Sequence, residues 1–252
     1  MGWCASVTTL VETGTRLQKP EEGFTADPAN RLQYQSAVGS LMYAMLGTRP
    51  DIAYDVGLVS QFSTKPNSEH WAAVKRIFRY LVGTRELGIH YGGGNTCGGY
   101  SDSDWGGSHD WRSTSGYVFL MNTRAISWAS KKQSVVALSS MEGEYMALTQ
   151  AIKEVLWLQT LLVKLGALRH ATEVSTIFCN NQGAIALSQN PGFHARSKYI
   201  DIRYHFIRDH VDKETGTINL LYCPMEDMTA DVLTKGLSRN PHQKHTAGMG
   251  LV

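Results

Sequence analysis

The sequence predicts an α/β protein: a mixed sheet with helices packed on its faces, preceded by a helical segment. Three observations carry this. Apolar residues recur at helical spacing from Arg31 to Gly83. The run Tyr91-Gly92-Gly93-Gly94-Asn95 breaks that pattern, and the period then changes to two. Beyond it, strand-length and helix-length stretches follow in the order β-β-β-α-β-α-α-β-α, a hairpin feeding crossover helices, which requires antiparallel and parallel pairing in one sheet. The chain has 252 residues, 42% hydrophobic and 18% charged, with a formal net charge of +2. That content builds a core and excludes wholesale disorder, and the charge balance alone does not mark a nucleic-acid binder. No run of apolar residues is long enough to span a membrane.

The elements follow in order. Residues 1–30 hold Lys19-Pro20-Glu21-Glu22-Gly23 and Asp27-Pro28 without a sustained period, the composition of an extended lead-in. Leu32, Val38, Leu41, Met42, Met45 and Leu46 predict one helix ending at Gly47. Pro50-Asp51 opens a second through Ile52, Val56, Val59 and Phe62. Asn67 or Ser68 caps a third, with Trp71, Val74, Ile77, Phe78 and Leu81 on its apolar face. Residues 31–94 form this helical part. Strands are expected at Tyr100 to Trp105 and in a hairpin of Gly116 to Met121 and Ala125 to Ser130 around Asn122-Thr123. A long helix runs from about Met141 to Leu165, a strand from Val174 to Cys179, and helices from Gln182 to Ser188 and Ile200 to Val211. A short strand from Thr217 to Tyr222 and a last helix from Asp227 to Lys235 complete a domain over 95–237, leaving 238–252 as a flexible tail.

Acidic residues fall where one site could gather them. Asp102 and Asp104 share a face of the first strand because side chains alternate. Taken alone, such a pair reads as two acids facing water near a strand end. Ser139-Ser140-Met141-Glu142 matches a capping box, giving Glu142 a structural role. Glu144 shares the core-facing stripe of the long helix with Leu148, Ala151, Ile152 and Val155, where a carboxylate needs a partner, most naturally a metal ion. Asn180 and Asn181 end a strand, a place that often builds sites, yet either is equally an ordinary cap for the following helix. Asp227 is placed to cap the last helix, and Asp231 lies one turn further in.

At these residues the sequence resembles the ribonuclease H domain of Ty1/copia-type retrotransposon polyproteins, preceded by the tail of their reverse transcriptase. The matching runs are Tyr100-Ser101-Asp102-Ser103-Asp104-Trp105, Ser139-Ser140-Met141-Glu142-Gly143-Glu144-Tyr145, Asn181-Gln182-Gly183-Ala184, the stretch from His194 to Phe206, and Asp227-Met228-Thr229-Ala230-Asp231-Val232-Leu233-Thr234-Lys235. Upstream, Val38-Gly39-Ser40-Leu41-Met42-Tyr43 and Thr48-Arg49-Pro50-Asp51-Ile52-Ala53 resemble the segment that links polymerase to nuclease. The resemblance spans roughly residues 32–237. It implies a ribonuclease H-like mixed five-stranded sheet with flanking helices over 95–237, and a reverse-transcriptase connection or thumb remnant over 31–94.

It also implies a chemistry. Ribonuclease H cuts the RNA strand of an RNA–DNA hybrid by in-line attack of water on a phosphate, with two divalent ions clamping the attacking and leaving oxygens. Magnesium, with manganese as substitute, prefers carboxylate and water oxygens. Carried over position by position, the acids are Asp102, Glu144 and Asp231. Where the family has Asp-Asn-Gln, this chain has Asn180-Asn181-Gln182, so one negative charge is missing. The expectation is a retained fold with weak or absent catalysis. Lys131, Lys132, Arg196, Lys198 and Arg203 are the cations placed to meet phosphates, with a solvated charged surface as the bland alternative. His194 could assist proton transfer or simply be exposed, and His205 reads as structural. Trp71, Phe78 and Trp157 read as core packing. The implied partners are the hybrid and the reverse-transcriptase portion of the same polyprotein, with no membrane. Four separated cysteines without a CxxC pair read as reduced thiols of an intracellular protein, in the resemblance's terms cytoplasmic within a virus-like particle or nuclear. The Tyr-x-Asp-Asp polymerase signature and zinc-knuckle, protease and integrase motifs are absent, so the chain reads as the C-terminal piece of a polyprotein.

Overall fold

A computed structural model describes residues 5–10, 17–92, 97–107, 110–167, 175–189, 201–211 and 216–252. The helical part begins with α1 (Pro28–Gly47), whose N-terminus is fixed by Pro28 and by the Asp27 carboxylate accepting the Asn30 amide at 3.0 Å. A 3-10 turn at Pro50–Ile52 leads into α2 (Ala53–Ser60). α3 (Ser68–Gly83) is capped by Asn67, which accepts from the His70 amide at 2.9 Å while His70 Nδ1 accepts from the Asn67 amide at 3.0 Å. The three helices pack around Tyr34, Val38, Leu41, Ile52, Val56, Val59, Val74 and Ile77. The predicted apolar face of α1 is corrected in part, because Leu32, Met42 and Leu46 are exposed while Val38 and Leu41 are buried and Met45 is half-buried against the core. The lead-in is tied down: Leu10 and Leu17 are buried in the same core, and Arg76 Nε donates to the Thr9 carbonyl at 3.1 Å.

The sheet comprises β1 (Cys97–Asp104), β2 (Thr114–Met121), β3 (Arg124–Lys132), β4 (Ser175–Cys179) and β5 (Ile218–Tyr222) in the order β3-β2-β1-β4-β5. β1, β2 and β3 form an antiparallel meander, whereas β4 runs parallel to β1 and β5 parallel to β4. This is the mixed five-stranded sheet the resemblance implies. Asn122 and Thr123 turn the hairpin with φ of 49° and 66°, the left-handed pair that a two-residue connection demands.

Alternation along β2 sorts the two faces. Tyr117 and Phe119 meet α4 (Ser140–Lys164), α5 (Gln182–Gln189) and α6 (Asp201–Val211) in a core with Leu148, Ile152, Val155 and Ile177. Val118 and Leu120 point the other way, toward Ala53 and Ile89 of the helical part and Val232, Leu233, Met249 and Leu251. The helical part therefore covers one sheet face. Trp128 Nε1 donates to the Met45 carbonyl at 3.0 Å across that seam.

Two expectations fail here. The last helix, expected from Asp227 to Lys235, is a pair of 3-10 turns at Met225–Asp227 and Thr229–Leu233. Residues 238–252 are no flexible tail. They form α7 (Arg239–Gly248), Met249 and Leu251 are buried, and the Ala125 amide donates to the Met249 carbonyl at 2.9 Å. The mixed polar composition of α7 hides this, because its anchor is two apolar residues beyond its end. Trp157 also departs from the core reading, being 56% exposed on α4.

Candidate active site at the end of β1

Each acid arrives from a different element. Asp102, on β1, is buried among β2, β4 and the Thr229–Leu233 turn. Glu144 comes from the first turns of α4, whose cap is Ser139: its hydroxyl accepts the Glu142 amide at 3.2 Å, and Glu142 Oε2 accepts the Leu138 amide at 2.7 Å. Glu142 takes a structural role at this helix start as expected, but it reaches the Leu138 amide and not that of the cap residue Ser139, so the expected capping box is only half formed. Gly143 lets α4 approach β1 closely, since a Cβ there would lie 2.9 Å from Ser103 Oγ. Asp231 sits in the Thr229–Leu233 turn, pressed onto β2 at Gly116, where a Cβ would meet Leu233 Cβ at 2.9 Å.

The carboxylates are partly bound and partly orphaned. Asp102 Oδ1 accepts from Asn180 Nδ2 at 2.8 Å, and its Oδ2 accepts from the Thr234 hydroxyl. Asp231 Oδ2 pairs with Lys235 Nζ at 2.9 Å, one turn on. Glu144 Oε2 and Asp231 Oδ1 are buried without a hydrogen-bond partner. Burial, followed by the charge of Asp102, pushes the Glu144 carboxyl up to about 9, against a hydrogen bond from the Ser103 amide. Burial and the Asp102 charge also raise Asp231, against the pull of Lys235. Lys235 is raised in turn, its own burial being outweighed by Asp102 and Asp231.

This donor set fits a hard divalent cation. Three carboxylates converge on one sheet end, and two of their oxygens lack the partner that a cation would supply. Among the described residues no three acidic, histidine or cysteine side chains form a ready cage. Asn180 presents its amide nitrogen to Asp102, and Lys235 supplies positive charge to Asp231.

The remaining sequence expectations divide. Asp104 lies over the backbone at Gly107 and is only half-buried, though its charge still reaches Lys235. Asp227 is exposed and pairs with Lys244 Nζ at 2.7 Å instead of capping a helix. Lys131 and Lys132 end β3 in a groove beside α2, not against the acids. Arg196, Lys198, His194 and the Arg203 side chain lie outside the described residues. His205 is exposed on α6. Cys179 and Cys223 are buried free thiols and Cys97 is half-buried. Sequence reasoning missed Thr234, Lys235 and Gln133. The first two close the run that begins at Asp227, and the i,i+4 spacing of Asp231 and Lys235 was a readable signal. Gln133 gave none, yet its Nε2 ties Ser115 Oγ and the Gly143 carbonyl, each at 2.9 Å, and so holds α4 to the hairpin.

No protein-family model matches the chain. It is 47% identical over 223 residues to the retrovirus-related Pol polyprotein from transposon TNT 1-94 of Nicotiana tabacum, covering 87% of this chain and 16% of that protein. It is 42% identical over 242 residues to the corresponding polyprotein from transposon RE1 of Arabidopsis thaliana, covering 95% of this chain and 15% of that one. This chain thus spans about a sixth of the length of these curated relatives. A solved RNase H1 isolated from compost by a metagenomic approach aligns with a TM-score of 0.40 at 16% identity, over 56% of this chain and 93% of its own. Taken with the ordered motifs from Asp102 to Lys235, the polyprotein matches settle the family: the chain belongs to the retrovirus-related Pol polyproteins of Ty1/copia-type transposons.

Proposed function

We propose that this chain is the ribonuclease H unit of such a polyprotein, built to cleave the RNA strand of RNA–DNA hybrids, with its hydrolysis held down by Asn180. The observation that carries the reading is the contact of Asn180 Nδ2 with Asp102 Oδ1 at 2.8 Å, beside the orphaned oxygens of Glu144 and Asp231. Three acids gathered at one end of a sheet, two of them with an unsatisfied oxygen, are costly to the fold and make sense as ligands. Asp102, Glu144 and Asp231 would hold the divalent cations, with Asn180 as a neutral fourth neighbour. Magnesium or manganese, when bound, supplies positive charge for the attacking and leaving oxygens of the phosphate.

The chain's own residues do the rest. Thr234 fixes one oxygen of Asp102 and leaves its orientation little freedom. Lys235 keeps Asp231 pointed along its own turn and offers a cation beside the scissile phosphate. Glu144, whose proton affinity is raised by burial, can hold a proton at neutral pH until a cation or the substrate displaces it. Asn180 cannot carry charge. Replacing one negative charge between dications costs several kcal/mol even with strong screening, and each 1.36 kcal/mol is tenfold in rate.

Cleavage of a labelled RNA–DNA hybrid in magnesium and in manganese, by the parent chain and by Asn180→Asp, tests this. A rise on the order of a hundredfold or more in Asn180→Asp is expected, and equal activity in both would overturn the silencing role. A second reading is a hybrid-binding module without turnover, favoured by the same amide donor on Asp102. It predicts salt-dependent binding with no product from either version. In both readings the reverse-transcriptase portion of the polyprotein is the proposed partner of α1, whose Leu32, Tyr43 and Leu46 are exposed.

A further inference from the structure

A cavity of about 400 Å³ opens where α2 and the lead-in face the ends of β2 and β3. Lys19, Lys131 and Lys132 line it against a single carboxylate, Asp110, together with Ser60, Thr114 and Phe62. Lys132 is a fixed post: its Nζ lies 2.7 Å from Asp110 Oδ1 and 2.9 Å from Gln61 Oε1, which ties β3 to α2. Lys19 and Lys131 are exposed. The pocket therefore carries a surplus of positive charge and hydroxyl donors, the chemistry that meets phosphodiester oxygens.

Its position relative to the acids is set by the sheet. Asp102 pairs with Gly116, and Gly116 pairs with Ser130, which lines the groove. Two strand spacings put the groove about 10 Å from Asp102, roughly three steps along a nucleic-acid axis. We infer that this groove holds the sugar–phosphate backbone of a polynucleotide a few nucleotides from the phosphate held at Asp102, so that the helical part is half of the substrate surface. The inference rests on the hybrid-cleaving reading and extends it, because the groove exists only where residues 17–62 pack against the sheet domain.

The test is fluorescence anisotropy of a labelled RNA–DNA hybrid with the full chain in EDTA, across a salt series. The variants are Lys19→Ala/Lys131→Ala and, as a control on the far face, Lys153→Ala/Lys164→Ala. Both pairs are exposed, and thermal melts of each confirm folding. Loss of two phosphate contacts lowers the salt slope by about two and weakens binding about tenfold or more in the groove variant. The control variant binds as the parent does. A groove variant that matches the parent in affinity and slope overturns the groove while leaving hybrid binding at the acids intact. A parent that binds no hybrid overturns the groove and the hybrid reading together. Equal losses in the groove and control variants overturn it as well, since they would show diffuse charge and no site.

Discussion

Asp51 in the helical part and the three acids at the end of β1 are all buried, and they are satisfied in opposite ways. In the helical part Asp51 is fully buried and every oxygen is spoken for. Arg49 donates through Nε at 2.9 Å and through Nη2 at 2.6 Å, and the Tyr80 hydroxyl adds a bond at 2.7 Å. Arg49 in turn reaches the Thr84 carbonyl at 3.0 Å. At the end of β1 the acids are as deeply buried, yet Glu144 Oε2 and Asp231 Oδ1 have no partner, and both carboxyls are pushed toward their protonated form. Asp51 is complete without anything from outside, so its charge serves the fold, while its neighbour Asp55 keeps one buried oxygen without a partner and is held toward its protonated form by burial. The β1 site leaves two buried oxygens open, the places the proposed cation would fill. Partner accounting separates Asp51 from the acids at β1 where burial alone does not, and what further sets the β1 acids apart from Asp55 is that three of them act on one another.

Substitutions sharpen that contrast, and the largest effect belongs to the closed cluster. Asp51→Asn leaves the Arg49 guanidinium buried and uncompensated, and is expected to cost about 3–5 kcal/mol in urea denaturation. Glu144→Gln at pH 8 is expected to cost nothing, since it replaces a carboxyl that burial already disfavours as a charge. Comparable losses from the two substitutions would erase the distinction. Next comes the C-terminal anchor. Met249→Ala removes a fully buried side chain between α7 and β3 and is expected to cost about 2–5 kcal/mol. A change within a few tenths would mean that α7 is not part of the cooperative fold.

A pH experiment follows. Asp55, on α2 and wholly buried, is pushed up to about 8 by burial, with Asp51 raising it further and its own backbone bond and Arg76 opposing. The folded chain keeps a proton that the unfolded chain releases above its ordinary carboxylate range. Stability from this group is therefore full at low pH and falls as pH rises to about 8, by at most about 1.4 kcal/mol per pH unit. Asp55→Asn should flatten that fall in melting scans between pH 5 and 8, and an unchanged slope would assign it to other groups. The smallest of the expected losses is at the cap of α4: Ser139→Ala is expected to cost about 1 kcal/mol. It should also lower hybrid cleavage in an Asn180→Asp background if the first turn of α4 aims Glu144.

Much of this architecture is legible in the chain. The strand pair Asp102 and Asp104, the hairpin at Asn122-Thr123, the long helix after Ser139 and the strand ending at Asn180 all sit where period and turn chemistry place them. What escaped was non-local. α7 is mostly polar, and its identity as an ordered element depends on Met249 and Leu251 finding Ala125 and Ile89 far away in sequence. The turn that carries Asp231 looked helical because Ala230, Val232 and Leu233 are apolar neighbours, yet all of Thr229–Leu233 is buried, which suits a short 3-10 turn wedged between sheet and α7 better than an amphipathic helix. Lys131 and Lys132 read as cations near the acids, and only the sheet register puts them across two strands and against α2.

The sequence by itself determined most of the elements up to β5, and the resemblance its motifs carry singled out Asp102, Glu144, Asp231 and Asn180, because local periodicity and ordered motifs are properties of neighbouring residues. The tertiary structure decided which of those acids lack partners, that Asn180 donates to Asp102, and that the helical part closes over one sheet face. Those facts depend on which atoms meet after the chain has folded, and a linear pattern carries no record of that accounting.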